Sequence, residues 1–437
     1  MNFCKGYSQI NNLFITAFTW QPHLDTSIEL AILLQKASKD VHYCFIWVHN
    51  IEEGSSLPHF LKKICAIMRL VRILLKYKIR YSLYYVGPSI FFTIPKFKDL
   101  SYLESYRLKE KPIGLGILST LSDLCVDKII NSDDSLRLAP ILLKRAISVH
   151  DIAEKVIRSL QPDSLYQFNP RFSNTRSIYL AAQGLIENIY TYEIASTPNK
   201  YSLVNGSIFD GSLRSRLIKK HWSHAPLSKF DIARSFFSDL KHNSSMFCGS
   251  DEFDCEPYID RSRINLLFCP SSIAETYALG DLYNHGLFVS QDHALKTLIN
   301  LCSNSDSYNL IIRVHPIVAL KSDEEKSYWS NITATPNIRI VQFYSRVSTY
   351  DLMRRVDRLI VYHSTIAIEA SFEGIPSMAL GSPWWIDLNC VFKPSCFLDV
   401  QKFIDLDTNL IQNLDYSKAL LFAYYLKTYG TNYNYIR

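Results

Sequence analysis

Short continuous apolar runs alternate along the chain with stretches of helical period. Leu13 to Phe18 reads as a strand, the polar loop TWQPHLDTS follows, Ile28 to Ala37 has helical spacing, and His42 to Val48 is a second strand. This β-loop-α-β order opens a parallel sheet with helices on its faces. Tyr81 to Val86, Ser164 to Phe168 and Ile189 to Tyr192 are further strand candidates, with a helix near Thr175 to Leu185. From Pro198 to Arg263 the apolar period weakens and Ser, Asp and Lys cluster, the pattern of a join between domains. Alternation then resumes. Ile264 to Cys269, Asn309 to Val314, Ile338 to Phe343, Arg358 to Tyr362 and Pro376 to Leu380 predict strands; His293 to Cys302, Thr349 to Val356 and Thr365 to Phe372 predict helices. The expected fold is α/β: two Rossmann-like, doubly wound domains facing each other across a cleft. Expected boundaries are 1–205 for the first domain, 206–262 for the join and 263–415 for the second. A C-terminal helix from Tyr416 to Tyr429, within 416–437, is expected to pack back on the first domain.

Composition narrows the class. Of 437 residues, 48% are hydrophobic and 20% charged, which excludes wholesale disorder and supplies ample core. No apolar run reaches the length of a membrane span, and the N-terminal segment MNFCKGYSQINNLFITAF lacks signal-peptide features, so a cytoplasmic protein is expected. The ten cysteines are scattered without a C-x-x-C pair, the pattern of reduced core thiols rather than of a zinc site or disulfide frame. Of the net charge of +6, the informative part is local. Nine basic residues and no acid lie between Gly54 and Lys98, while the rest of the chain is close to neutral. A nucleic-acid footprint covers a broader face than this, so no nucleic-acid partner is expected. Lys62, Arg69, Arg72, Lys76 and Arg80 fall within an arc of about 80° on a helical wheel, with Ile64, Ile67, Met68, Leu70, Val71, Leu74 and Leu75 on the other side. Such a basic-faced helix suits the anionic inner face of the cell membrane or the guidance of an anionic acceptor; a helix packed on the sheet with its cations in water gives the same pattern.

The densest chemistry lies between Tyr350 and Gly381. A strand delivers His363, Ser364 and Thr365 to a helix start, where backbone N–H groups and hydroxyls favour an anion, and Glu369 follows one turn later, within reach of ribose hydroxyls. Ser364 as a plain helix cap is the alternative. Upstream, Arg313 to Pro316 reads RVHP at the end of a strand, so His315 would face the ligand crevice outside the carboxyl ends of the sheet; a structural His before a turn-forming Pro is the other reading. There is no strand-borne D-x-D; SDEFD at Ser250 to Asp254 falls in the polar join, and the phosphate-loop, dinucleotide and nucleophile-elbow motifs are absent, so no metal or other cofactor is implied.

RVHP followed by HSTIAIEASFEGIP resembles bacterial glycosyltransferases of the GT-B architecture, in particular capsule and lipopolysaccharide enzymes that use CMP-activated sugars such as Kdo. That resemblance implies a donor-nucleotide site formed by Arg313, His315, Pro316, His363, Ser364 and Thr365, with Glu369 near the ribose. Transferases that use CDP-glycerol carry similar His-Pro and Ser-Ser motifs. In the N-terminal half, TWQPHLDTS is similar to the acceptor-side loop of such enzymes and brings in Gln21, His23 and Asp25. FNPRFSNTRSIYLAAQGLIENIYTYE is similar to a stretch of surface-polysaccharide enzymes, with Pro170 where a Gly is usual. Arg171 and Arg176 have the chemistry to grip a carboxylate or phosphate. Glu193 is a candidate general base or nucleophile, with Asp25 and His23 as rivals. The expectation is a glycosyltransferase that moves Kdo or another ulosonic acid from its CMP donor to a saccharide or lipid-linked acceptor, peripheral to the inner face of the membrane. A CDP-polyol phosphotransferase, a UDP-sugar hexosyltransferase, a nonhydrolysing epimerase and a non-catalytic GT-B-like binding subunit are the alternatives.

Overall fold

The computed structural model describes residues 10–49, 57–87, 99–125, 133–197, 199–244, 254–271, 279–280, 286–321, 323–405 and 412–436. Residues 250–253 of the SDEFD segment, and Lys96 and Lys98 of the basic window, lie outside these.

The N-terminal domain runs β1 (Asn12–Thr16), α1 (His23–Lys36), β2 (Val41–Val48), α2 (Leu57–Lys76), β3 (Arg80–Val86), α3 (Ser101–Ser105), α4 (Gly114–Cys125), α5 (Asp133–Leu160), β4 (Ser164–Phe168), α6 (Ser173–Ala182), β5 (Asn188–Ile194) and β6 (Lys200–Asn205). The chain continues through α7 (Gly211–Ser223) and α8 (Lys229–Ser244) to β7 (Ile264–Cys269), α9 (Gln291–Ser303), β8 (Tyr308–Arg313), α10 (Asp323–Ser330), β9 (Ile338–Val341), α11 (Thr349–Arg355), β10 (Arg358–Val361), α12 (Ile366–Phe372), β11 (Ser377–Ala379), α13 (Phe397–Ile404), α14 (Ala419–Thr428) and β12 (Thr431–Asn432). The first sheet is ordered β12-β6-β5-β4-β1-β2-β3, parallel from β5 to β3, with β6 and β12 antiparallel at one edge; the second is ordered β11-β10-β7-β8-β9 and parallel throughout. Two doubly wound domains are the GT-B arrangement. Sheets covered on both faces require strands that are apolar throughout, and β1, β8 and β10 are buried at every position.

Three sequence expectations change. The first helix starts at His23, five residues before the expected Ile28, because Pro22 stands at its N-cap, where a missing N–H costs no hydrogen bond. His23 and Asp25 are therefore helical and face different neighbours. The described part of the segment read as a polar join carries regular structure. Residues 200–205 extend the first sheet, and α7 and α8 bury narrow stripes (Ile218; Ala233 and Phe237) in the core of the second domain, beside Trp385 and Phe422. So few apolar positions on two otherwise wet helices leave almost no period in the sequence. The C-terminal helix, expected to return to the first domain, packs mainly on α7, α8 and α12 of the second, and only its last turn, through the Leu426 and Thr428 carbonyls, accepts from Thr197 and Lys200 of the first.

The return happens one turn later. Gly430, at φ 123°, turns the chain where a Cβ would lie 2.8 Å from that of Ala195. Residues 431–432 then pair with β6. The Tyr433 and Thr26 hydroxyls are 2.6 Å apart, and the Glu29 carboxylate accepts from the Asn434 and Tyr435 amides at 2.7 and 2.9 Å. Polar residues buried on α1 thus meet the tail of the chain.

The basic helix is also shorter than the wheel suggests. It ends at Lys76, Lys78 turns at φ 55°, and Arg80 lies on β3 opposite His42, paired with Asp40. Among the described residues, no helix is long and apolar enough to cross a membrane.

Candidate active site

In the second sheet β7 is central; the chain winds outward to β8 and β9 on one side, then crosses to β10 and β11 on the other. The crevice outside the C-terminal ends of β7 and β10 is therefore the topological switch point. It holds a cavity of about 520 Å³ lined by Cys269 and Pro270 after β7, Arg313, His315, Pro316 and Ile317 after β8, Thr349 and Tyr350 at the start of α11, and Ser364, Thr365 and Glu369 after β10. Two motifs almost fifty residues apart meet there because parallel strands deliver their C-terminal ends to one edge.

Each side chain has a defined state. His315 Nδ1 accepts a hydrogen bond from the Ile317 amide at 3.1 Å, which assigns the ring proton to Nε2 and leaves that atom a donor. Burial, and secondarily the Arg313 charge, hold the ring below its usual pKa, so it is neutral at pH 7. The Tyr350 hydroxyl donates to Glu369 Oε2; burial raises the Glu369 pKa, and burial together with that carboxylate raises the phenol well above its ordinary range. Burial pushes the Cys269 thiol to about 12, so it is no thiolate.

Two of the expected donor residues take other roles. Arg313 lines the cavity, but its guanidinium donates to the carbonyls of Val314 and Gln342 at 2.9 Å and of Ser345 at 3.3 Å, which ties down the loop after β9. His363 is not part of the cavity wall. Its ring lies 4.2 Å from that of Tyr362 and against Gly381, where a Cβ would sit 2.1 Å from Nε2. Tyr350 and Thr349 carry no signal of their own in the sequence; a Tyr in the first turn of a helix resembles any surface residue until the helix is placed.

In the first domain, Glu193 is the penultimate residue of β5. Its carboxylate accepts from Asn169 Nδ2 at 2.9 Å and from the Ile194 amide at 3.0 Å, and His23 Nδ1 approaches to 3.4 Å without hydrogen-bond geometry. Burial raises the Glu193 pKa above that of an ordinary carboxyl. Burial lowers that of His23 to about 4, in keeping with a ring 4.2 Å from Phe168 and edge-on to Phe18. A carboxyl with a raised pKa and a histidine with a lowered one thus stand side by side. A small cavity beside Glu193 is closed by Arg214 of α7 and by Tyr425 and Tyr429 from the C-terminal segment, so the catalytic candidate is walled by both domains. Asn169 is legible in FNPRF only once its strand partner is known.

Asp25, the rival base, points elsewhere. It is buried and forms a 2.6 Å ion pair with Arg69 of α2, because residues two apart on a helix lie on different faces. Asp25→Asn is expected to leave turnover within about twofold of wild type. Stability should fall by about 1–2 kcal/mol, the loss of one half-exposed charge-assisted bond; urea denaturation alongside activity checks it.

The expected substrate-gripping arginines are also engaged by protein partners. Arg176 is buried and donates from Nε to the Pro112 carbonyl and from Nη1 and Nη2 to that of Leu279, which joins the two halves of the chain. Arg171 donates to Ser119 Oγ at 2.9 Å and pairs with Asp123 at 3.5 Å. Gln21 is exposed in the turn before α1. The cations that line a cavity of the first domain, about 210 Å³ in volume, are Lys63 of α2 and Arg145 of α5, with Trp20, Phe172, Thr120 and Asn174. Arg145 has a sequence signal: it falls at a buried position of α5 among Leu142, Ala146 and Val149.

His23 also gives a pH signature. Its pKa is lower in the folded than in the unfolded chain, so the native state resists protonation and stability is lost as pH falls from about 6.5 to about 4. His23→Gln should flatten that part of the stability profile by on the order of 2 kcal/mol, as read by denaturation midpoints at pH 7 and pH 4.5.

Residues 277–387 match the family of capsule polysaccharide biosynthesis proteins. The matched quarter of the chain contains both motifs of the switch-point cavity, RVHP and HSTIAIEASFEGIP, so the resemblance to capsule-polysaccharide enzymes read from them holds. Among solved structures, the chain is similar to the β-Kdo 2,4 transferase of Thermosulfurimonas dismutans KpsC, with a TM-score of 0.38 and 11% identity over 60% of this chain and 79% of that one. The β-Kdo 2,7 transferase of the same protein gives 0.36 and 13%, over 62% and 78%. The UDP-GlcNAc 2-epimerase of Neisseria meningitidis gives 0.27 and 10%, over 95% and 97%. No curated protein matches the sequence.

Proposed function

We propose that this chain is a glycosyltransferase of capsule polysaccharide assembly, which transfers Kdo or a related ulosonic acid from its CMP donor to a saccharide or lipid-linked acceptor. The observation that carries the reading is the convergence of His315, Pro316, Ser364, Thr365 and Glu369 on one cavity at the switch point, within a matched capsule-family segment. A volume of about 520 Å³ suits a nucleotide.

In this reading the His315 Nε2–H and the hydroxyls of Ser364 and Thr365 hold the donor phosphate, and Glu369 accepts from the ribose through the oxygen that Tyr350 leaves available. Acceptor attack forms a bond between its hydroxyl oxygen and the anomeric carbon. The bond from that carbon to the phosphate oxygen breaks, and CMP leaves with the electron pair. The hydroxyl proton passes to Glu193, whose raised pKa makes it a better base than an ordinary carboxylate. The donors at the phosphate are fixed before reaction, so negative charge that develops on the leaving group meets groups already oriented toward it.

Separate incubations with CMP-Kdo, CDP-glycerol and UDP-sugars test the assignment. CMP release from the ulosonic acid donor alone supports it. Turnover of CDP-glycerol or of a UDP-hexose moves the assignment to those donors. Conversion of a UDP-sugar without an acceptor identifies an epimerase, and no nucleotide binding by calorimetry identifies a non-catalytic subunit.

A further inference from the structure

Helix α2 has three faces where its sequence predicts two. Leu70 and Leu74 are buried on the sheet. A second face bears Lys62, Arg72 and Lys76, all exposed, and the helix contains no acidic residue. On the third, Phe60, Leu61, Met68 and Leu75 remain 44, 49, 48 and 60% exposed. At 100° per residue these four span an arc of about 100° that borders directly on the basic face. Leu61, Met68 and Leu75 are spaced by seven, so their row runs about 21 Å along the helix. The apolar surface continues onto the edge strand: Trp47 lies 5.9 Å from Phe60 and 5.3 Å from Tyr85, and Tyr85 and Leu83 are half exposed.

We infer that α2 and the exposed side of β3 form a docking surface for an anionic lipid bilayer. The apolar row would enter the boundary between headgroups and acyl chains, and Lys62, Arg72 and Lys76 would meet headgroup phosphates. Charge selects this occupant over a second copy of the chain. Two such helices face to face would oppose uncompensated cations, whereas an anionic surface neutralises them. The same helix places Lys63 in the wall of the N-terminal cavity.

Co-sedimentation of the full chain with phosphatidylglycerol/phosphatidylcholine vesicles and with pure phosphatidylcholine vesicles tests the inference. Binding to the anionic vesicles only is expected, and it should weaken with salt. A triple variant Lys62→Gln, Arg72→Gln, Lys76→Gln should bind about 100-fold more weakly, at about one kcal/mol per cation. Leu61→Ser, Met68→Ser, Leu75→Ser should lose most binding as well, and unchanged circular dichroism would show that the fold is intact. Should the serine variant unfold, the glutamine variant still decides. Equal binding to pure phosphatidylcholine, no binding by the wild type, or wild-type binding by the glutamine variant overturns the inference. So does a dimer in solution that the serine variant dissociates, which would make the patch a self-association surface.

Discussion

Glu193→Gln is expected to lower kcat by roughly 100- to 10,000-fold, the range spanned by a positioned general base, while donor affinity changes by less than about twofold. The amide is isosteric, so the site should retain its shape, although its single acceptor oxygen can keep only one of the two contacts, to Asn169 Nδ2 or to the Ile194 amide. What is lost is the capacity to take a proton. Glu193 lies on the first domain and the nucleotide motifs on the second, so donor binding has no route through it. The wild-type profile should fall on the acid side at a pH above that of an ordinary carboxyl, since burial raises the Glu193 pKa and only the ionised form acts as base. The acid limb should disappear in the glutamine variant. A kcat within about threefold of wild type would remove Glu193 from the chemistry and leave His23 as the candidate beside it. Single-turnover rates across pH 4 to 8, with calorimetry of CMP binding, make the test.

The second large effect is on donor binding. A His315→Ala, Ser364→Ala double variant should bind CMP at least roughly 100-fold more weakly, since each hydrogen bond to a charged phosphate contributes about 1.5–3 kcal/mol. His315 has a preset tautomer, so its Nε2 donor is oriented before the ligand arrives and its loss is not offset by a rearrangement. Neither side chain is part of the buried core, so thermal unfolding should change by no more than a few degrees. His363→Ala is the informative contrast. Its ring packs against Gly381 outside the cavity wall, so that variant should cost stability more than CMP affinity. CMP binding by the double variant at wild-type strength would sink the donor-site assignment.

How much of this was legible beforehand follows from range. The central strands of both sheets, such as β1, β8 and β10, are nearly continuous apolar runs, because each must be buried on two faces, and that requirement is local; β4 and β7 match the sequence expectation residue for residue. RVHP and HSTIAIEASFEGIP could be matched to one edge because parallel strands carry every C-terminal end to the same side. Charged groups were legible as chemistry but not as roles. Asp25, Arg69, Arg171, Arg176 and Arg313 are all of types that bind substrates, and all are engaged by protein partners. Their partners lie up to 103 positions away in sequence, and no local pattern encodes such a distance.

By itself, then, the sequence determined the α/β class, the two-domain alternation and the chemical content of the switch-point motifs, because burial on both faces of a strand and delivery to a helix start are written in adjacent residues. Tertiary structure alone decided which carboxylate stands free of an ion pair beside a neutral histidine, where the C-terminal tail returns, and which part of the basic helix is left apolar and exposed. The physical reason is common to all three. Burial and charge pairing are properties of a residue's neighbours in space, and in a doubly wound fold most of those neighbours come from distant parts of the chain.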